Sequence, residues 1–413
     1  MIQKISVQDE AHNAFVKSHS NGDLGQLTYW GELKKINGWK WVKVNVGEDE
    51  KHITGAALLL FKKIPKLNLT FCYANRGFVV DWSDRESTKA LTEAAVETAK
   101  EHNAIMVRID PDLDEHTEGL LEAISSLGFR HKGLEKGLYA YTQPRYHAVT
   151  DLSPDLDTVF KTFQSRTRTN VRKSLKNGLV LKDAPFEKMK EFYEIMKITG
   201  DRDDFSIRGL DYFQRMYQVL SPSKDVNLFL VKLLPEVALK NLEEDLSKRN
   251  KELARLEKKE QDENTLEQKT QIQRAKDNTL ALIAQMRKLM EEYPEGKYLS
   301  GAIFTLCGAK AYYLYGASSN QYRDLLPNYF MQWEMMRYAK EQGATSYDFG
   351  GISGREGELS DEAPGLWEFK KRWGTEAIGR IGEFDYVLKP FWYRLMEWAL
   401  RIRKNRHHDG MGA

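Results

Sequence analysis

Thiols are almost missing from this chain: Cys72 and Cys307 are the two cysteines among 413 residues. That leaves no disulfide framework and no cysteine-based metal spacing, and it fits a reducing cytoplasm. Long apolar runs are missing too. No stretch of about 18 apolar residues occurs, and the start MIQKISVQDE has no apolar leader core, so a spanning helix and a secretory signal are both unexpected. The expectation is a cytoplasmic protein, soluble or in peripheral contact with the inner face of the membrane. Charge of one sign is not in excess either. Lys and Arg number 62 against 60 Asp and Glu, net +2, so an anionic partner has to be met by local clustering rather than by the field of the whole molecule. There is no nucleophile elbow or Cys-His arrangement and no metal cluster is apparent, so the sequence points to neither covalent nor metal-assisted chemistry.

What is present is ample core material. With 41% hydrophobic and 30% charged residues, a chain of this length buries a sizeable core in two or three domains. The densest patterning runs from Ala311 to Trp373. Ala311–Tyr315 predicts a strand breaking at Gly316, and Asn328–Gln342 predicts a helix with Met331, Met335 and Tyr338 on one face and Gly343 as its stop. Ser346–Phe349 predicts a strand ending at Gly350-Gly351, where the lack of a Cβ permits a sharp turn or the close approach of another segment. Phe369-Lys370-Lys371 follows between Trp367 and Trp373.

The same order occurs earlier. Phe71–Gly77, Ser87–His102 and Ala104–Asp110 read as strand with aromatic loop, helix, and strand ending in an acid. The later set is Ala311–Ser319, Asn328–Gln342 and Ser346–Asp348. Tyr73 to Asp110 spans 37 residues and Tyr315 to Asp348 spans 33, so two copies of one α/β unit are expected. Before the first copy, the stretch 27–43 predicts a helix ended by Asn37-Gly38 and then a strand, with Lys34 and Lys35 near the helix end. Gln143-Pro144-Arg145-Tyr146 looks like the crossing between the units.

Three further segments stand out. Thr158–Lys182 has no acid and seven positive charges; Arg168, Arg172 and Lys176 fall at i, i+4, i+8 and form one basic stripe if the segment is helical, a face suited to phosphates. Glu236–Tyr293 is charged and free of glycine. Leu239, Leu242, Leu246, Leu253 and Leu256, then Leu280, Ile283 and Met290, predict an antiparallel two-helix coiled-coil arm of about 26 residues per helix, roughly 39 Å long. Pro390–Arg406 puts Phe391, Leu395, Trp398 and Ile402 on one side and ends in Arg401, Arg403, Lys404 and Arg406. That side either closes the first domain's core or meets an anionic bilayer.

The strings AFVKSHSNGDL, LLFKKIPKL, RGFVVDWS, MKITGDRDDF, YLSGAIF, YYLYGASSN, YDFGG, LWEFKKRWGT and IGEFDYVL, spread over residues 14 to 388, resemble the FemABX family and within it the FemX type. These are the aminoacyl-tRNA-dependent transferases that build the cross-bridge of bacterial peptidoglycan. The resemblance implies an α/β fold of two GNAT-like acyltransferase domains facing one another. The first would be 1–145 plus 377–413 and the second 146–376, with the arm at 236–296 inserted in the second.

By the same resemblance, Lys34, Arg208, Tyr212 and Tyr315 contact the muramyl-peptide acceptor. Arg208 and Tyr212 are four apart, hence on one face if Gly200–Met216 is helical throughout. Phe369 packs beside the tRNA terminus. Lys370, expected to be partly solvated, stabilises the oxyanion, and Asp110 is the base for the attacking amine. The donor would be a charged tRNA, with no cofactor. The acceptor would be the lysine ε-amine of the stem pentapeptide on lipid II or on its UDP-linked precursor, and the transferred residue glycine, alanine or serine. Other Fem-type transferases are further expected partners. Two rivals remain open. One is an acyl-CoA-dependent acetyltransferase of the same fold, disfavoured because no Arg/Gln-x-x-Gly-x-Gly loop is present to cradle a pyrophosphate. The other is a non-catalytic scaffold binding RNA or a partner.

Overall fold

The computed structural model describes residues 1–134, 137–138, 142–258, 262–355, 357 and 364–409, with Pro364 and 400–409 as backbone alone. The sequence from Leu127 to Tyr141 predicts a turn and a strand; part of it lies outside the described residues, and of the rest Arg130–His131 pairs.

The strands form two sheets. The first runs in the order Gln3–Ile5, Trp39–Gly47, Ile53–Lys63, Thr70–Ala74, Ala104–Ile109, Phe384–Val387, Arg130–His131, with Val79–Val80 also on Ile53–Lys63. The second runs Thr375–Gly379, Tyr146–Asp151, Ser346–Ile352, Lys310–Ser318, Lys297–Cys307, Val226–Leu233, Leu179–Asp183. Among the described residues each sheet has a single parallel pair. One is Thr70–Ala74 with Ala104–Ile109, the other Lys310–Ser318 with Ser346–Ile352. A parallel pair needs a crossover, and the helices Arg85–Glu101 and Pro327–Glu341 supply it. The two expected α/β units are therefore present. Their residue correspondence differs from the expected one: Tyr312 pairs with Asp348 inside the ladder, whereas Asp110 lies just past the end of its own at Ala74 and Ile109. Nor does the strand break at Gly316; it continues to Ser318, because its ladder with Lys297–Cys307 runs on through Gly316, Ala317 and Ser318, and Tyr313 folds its ring over that glycine, where a Cβ would clash with the phenol.

The chain enters the second sheet at Tyr146 and returns to the first after Gly379, slightly beyond the expected 377. One apolar cluster straddles the seam between the units. Leu24, Trp30, Leu33 and Val79 of the first pack with Met189, Phe192, Phe213, Met216 and Leu228 of the second. At about 1.5–3 kcal/mol for each large side chain removed from water, such a shared core holds the units in one relative position.

The arm consists of helices Pro235–Glu257 and Glu263–Glu292, inserted between the adjacent antiparallel strands Val226–Leu233 and Lys297–Cys307. Asp262 caps the second helix by accepting the Thr265 N–H. The seam of that helix is Thr279, Ile283, Met286 and Leu289; Leu280, expected there, is exposed. Near Arg249 the seam turns polar, since its guanidinium pairs with Asp245 at 2.6 Å.

The C-terminal helix, Pro390–Asp409, closes the first unit's core, but not with the side that carries Phe391, Leu395 and Trp398. Trp392, Tyr393 and Met396 pack on Leu69, Ile105 and Met106 under the first sheet, leaving Phe391, Leu395 and Trp398 outside.

Candidate active site

Two groups of polar side chains meet along the seam. The first begins at helix Thr28–Lys34, anchored by buried Trp30 and Leu33. It gives way to a short turn that Gly38 closes at φ 72°. Lys34 thus leaves the last turn with its ammonium 4.5 Å from the Trp30 ring centroid. Facing it is helix Leu210–Leu220 of the second unit. Arg208 precedes that helix rather than belonging to it, because helix Met189–Asp203 ends at Asp204 and an extended stretch intervenes. The guanidinium still lies over the Tyr212 ring at 5.3 Å, and the rings of Tyr212 and Tyr315 meet edge to face at 6.4 Å. Lys34, Arg208, Tyr212 and Tyr315 are therefore brought together from both units. Burial, and then the charge of Arg208, lower the Lys34 ammonium to about 8. Two cations held this close suit an anionic ligand.

The second group is a buried polar line. In the break after Thr70–Ala74, Arg76 adopts φ 56°, and its N–H donates to Asp110 Oδ1 at 2.7 Å. Its guanidinium lies 3.5 Å from Asp110 Oδ2 and also reaches the Pro144 carbonyl at 2.8 Å and His147 Nε2 at 3.0 Å. On the second unit His147 Nδ1 meets Asp348 Oδ2 at 2.7 Å. The Gly350 N–H donates to the other Asp348 oxygen at 2.6 Å, a turn that uses φ +84°. Gly351 lies so close to Pro144 that a Cβ would come within 2.5 Å of its ring. Its carbonyl accepts from Lys370 Nζ at 2.7 Å.

Lys370 closes helix Pro364–Lys370, and buried Trp367 and Trp373 fix the helix on either side of it. The lysine is 4% exposed, not partly solvated. Burial lowers its ammonium to about 8, against a partial raising by Asp348. Asp110 is the converse case. Burial pushes it up to about 7, even though Arg76 pulls it down. A carboxyl and an ammonium from opposite units thus both titrate near neutrality, the condition that proton transfer at pH 7 requires.

A model of the FemAB family matches residues 7–401. The chain belongs to the FemAB family. This FemAB member is 45% identical over 398 residues to the lipid II:glycine glycyltransferase of Staphylococcus saprophyticus subsp. saprophyticus, covering 96% of this chain and 95% of the relative. It is 44% identical over 404 residues to the protein of the same name from Staphylococcus aureus, with the same coverage. Its fold matches a crystal structure of FemX with a TM-score of 0.84 at 42% identity, covering 96% of this chain and all of that one.

Phe369 of the FemAB chain is half-buried and packs on Phe349 at 6.2 Å. The basic stripe does not stand where the pattern put it. Segment Thr158–Lys182 is not one helix: Leu156–Thr162 and Ser165–Ser174 are separated by a break, and a strand follows from Leu179. Lys176 therefore falls past the second helix. Arg168 is turned back onto the carbonyls of Lys161 and Phe163, and Arg172 covers the Phe160 ring at 5.1 Å. Of the three, Arg172 and Lys176 remain exposed, beside Arg166 and Lys173.

Sequence reasoning missed Arg76 and His147 altogether. It also missed the polar contacts beside them: Lys310 paired with Asp112 at 2.5 Å, and the Tyr312 hydroxyl donating to Asp23 at 2.9 Å. A lone histidine at the crossing has no spacing to give it away. The unusual Asn75-Arg76-Gly77 interruption was the available sign for Arg76. Among the described residues no group of His, Cys, Asp and Glu is arranged to hold a metal, and no helix is long and apolar enough to cross a membrane.

Proposed function

We propose that this FemAB protein is an aminoacyltransferase that moves a glycyl group from the 3′-terminal ester of a charged tRNA to the lysine ε-amine of the stem peptide on lipid II. The observation that carries the reading is the placement of Asp110 and Lys370, contributed by opposite units, at the two ends of one buried polar line. The names of the relatives at 44–45% identity supply the choice of glycine and of a lipid-linked acceptor.

The chemistry follows from the ester being already activated. A lysine amine, with an ordinary pKa of about 10.4, has to give up a proton to attack. The Asp110 carboxylate accepts it. The new C–N bond forms as the ester carbonyl becomes an oxyanion, which the Lys370 ammonium stabilises; a fixed donor of this kind contributes about 3–4 kcal/mol. Collapse then breaks the C–O bond, and the tRNA 3′-oxygen leaves as the hydroxyl, taking up the second proton that the attacking nitrogen sheds as it becomes an amide. The Lys34, Arg208, Tyr212 and Tyr315 cluster holds the acceptor. The exposed cations around Arg172 and the arm face the tRNA, whose phosphates need charge rather than shape. A lipid-linked acceptor places the working enzyme at the inner leaflet of the membrane.

The test is to incubate the purified protein with glycyl-, alanyl- or seryl-tRNA and with either lipid II or the UDP-linked precursor, then weigh the acceptor by mass spectrometry. A single glycyl increment on lipid II, lost with Lys370→Met, is the expected result. No increment on any acceptor would overturn the reading.

A further inference from the structure

We propose that the outward face of the C-terminal helix docks the protein on an anionic lipid bilayer. Phe391, Leu395 and Trp398 recur at i, i+4 and i+7 and form one stripe on the helix. They are 71%, 43% and 61% exposed. They are not spare core, because the opposite face of the same helix already buries Trp392, Tyr393 and Met396. Leaving two aromatic rings and a leucine in water along one line is costly unless something covers them.

The surrounding charge selects the occupant. Glu397, the one acid in segment 390–406, is turned inward to an ion pair with Lys132 and lies 3.8 Å from Arg108. Arg394 is exposed beside the stripe. Ile64 and Leu67 of the turn at residues 64–67 pack in the same cluster as the helix, and Lys63 and Lys66 of that region are exposed. The backbone continues as helix through the sequence positions of Arg401, Arg403, Lys404 and Arg406. An apolar stripe of Trp, Phe and Leu bordered by cations is the pattern of a helix lying in the headgroup region of an anionic leaflet.

The surface is also continuous with the acceptor cluster. Phe71 packs in the cluster under the helix, and the Trp39 ring stands 6.1 Å from it. Trp39 in turn directly follows the Gly38 turn that closes the Lys34 helix. For a lipid-linked acceptor, this chain of contacts joins the docking helix to the Lys34 group. This last step rests on the glycyl-transfer reading; the docking itself does not.

The experiment is sedimentation of the full chain with vesicles of phosphatidylcholine alone or with added phosphatidylglycerol, using wild type and Phe391→Ser/Trp398→Ser. Both side chains are exposed, so the variant should melt with the wild type. Wild type is expected to pellet with the anionic vesicles, less so at high salt and not with neutral ones. The variant should bind at least tenfold more weakly, and brominated lipid should quench fluorescence that Trp398→Phe lacks. Absence of wild-type binding, equal binding by the variant, or a dimer in light scattering that the variant dissolves would each overturn the proposal. The variant should keep wild-type transfer to lipid II dispersed in detergent, where no bilayer is present. Vesicle binding without transfer to any acceptor would sink the enzymatic reading and leave the docking face standing.

Discussion

His147 donates from Nδ1 to Asp348 at 2.7 Å, and its tautomer is fixed by a third residue. Arg76 approaches Nε2 at 3.0 Å, and a guanidinium only donates, so Nε2 has to accept and the ring is neutral. Burial lowers the imidazole pKa in the same direction. Asp348 is held ionised: burial alone would raise its pKa, but His147, Arg380 and the Gly350 N–H outweigh it. Because Asp348 also supports the Lys370 ammonium, Asp348→Asn should shift the alkaline limb of the rate profile to lower pH. Titrating kcat/KM in the variant checks this; an unmoved limb would disconnect Asp348 from Lys370.

The wild-type profile should be a narrow bell. Asp110 has to be ionised to accept a proton and titrates at about 7, while Lys370 has to be charged and titrates at about 8. kcat/KM therefore rises through the first value and falls through the second. Asp110→Asn should remove the acid limb along with most of the rate, and Lys370→Arg should remove the alkaline limb.

Lys370→Met should lower transfer by roughly 10²–10³-fold and yet stabilise the fold. The lysine titrates at about 8 in the folded chain and at 10.5 when unfolded, so below pH 8 both states bind the proton and folding bears the burial of the charge. At 1.36 kcal/mol per unit this amounts to about 3 kcal/mol as an upper figure. Between pH 8 and 10.5 the unfolded state alone keeps the proton, so wild-type stability should gain with rising pH. Urea unfolding at pH 7 and 10 should show the variant's advantage shrinking. A less stable variant at pH 7 would contradict the argument.

Arg208→Ala should weaken acceptor binding by about tenfold or more, one charge-assisted contact being worth roughly 1.5–3 kcal/mol, and should leave charged-tRNA affinity nearly unchanged. Arg208 stacks on Tyr212 beside Lys34, away from the exposed cations of the basic segment. Separate titrations of the two ligands decide it, and equal losses would misplace the residue.

Arg172→Gln/Lys173→Gln/Lys176→Gln should flatten the salt dependence of tRNA affinity by a slope of roughly 2 to 3 and spare acceptor affinity. Arg168→Gln should behave differently. Its guanidinium serves the carbonyls of Lys161 and Phe163, so its loss should appear as a lower melting temperature. An unchanged salt slope in the triple variant would make these cations an ordinary solvated face.

The sequence by itself determined the elements and the repeat. Apolar spacing marked helices Arg85–Glu101 and Pro327–Glu341, leucine spacing marked the arm, and glycine marked turns elsewhere in the chain at Gly38, Gly343 and Gly350. These are local properties, set by backbone sterics and by the period of the chain. Family strings pointed to Lys34, Arg208, Tyr212, Tyr315, Asp110 and Lys370 one at a time. Only the tertiary structure decided what surrounds them. Burial is a sum over neighbours distant in sequence, so the neutral His147, the high Asp110 and the low Lys370 have no signature in any short string. The same holds for the C-terminal helix. Its sequence offers apolar side chains on two faces, and only the placement of Leu69, Ile105 and Met106 beneath it chose which face is buried and which is left outside.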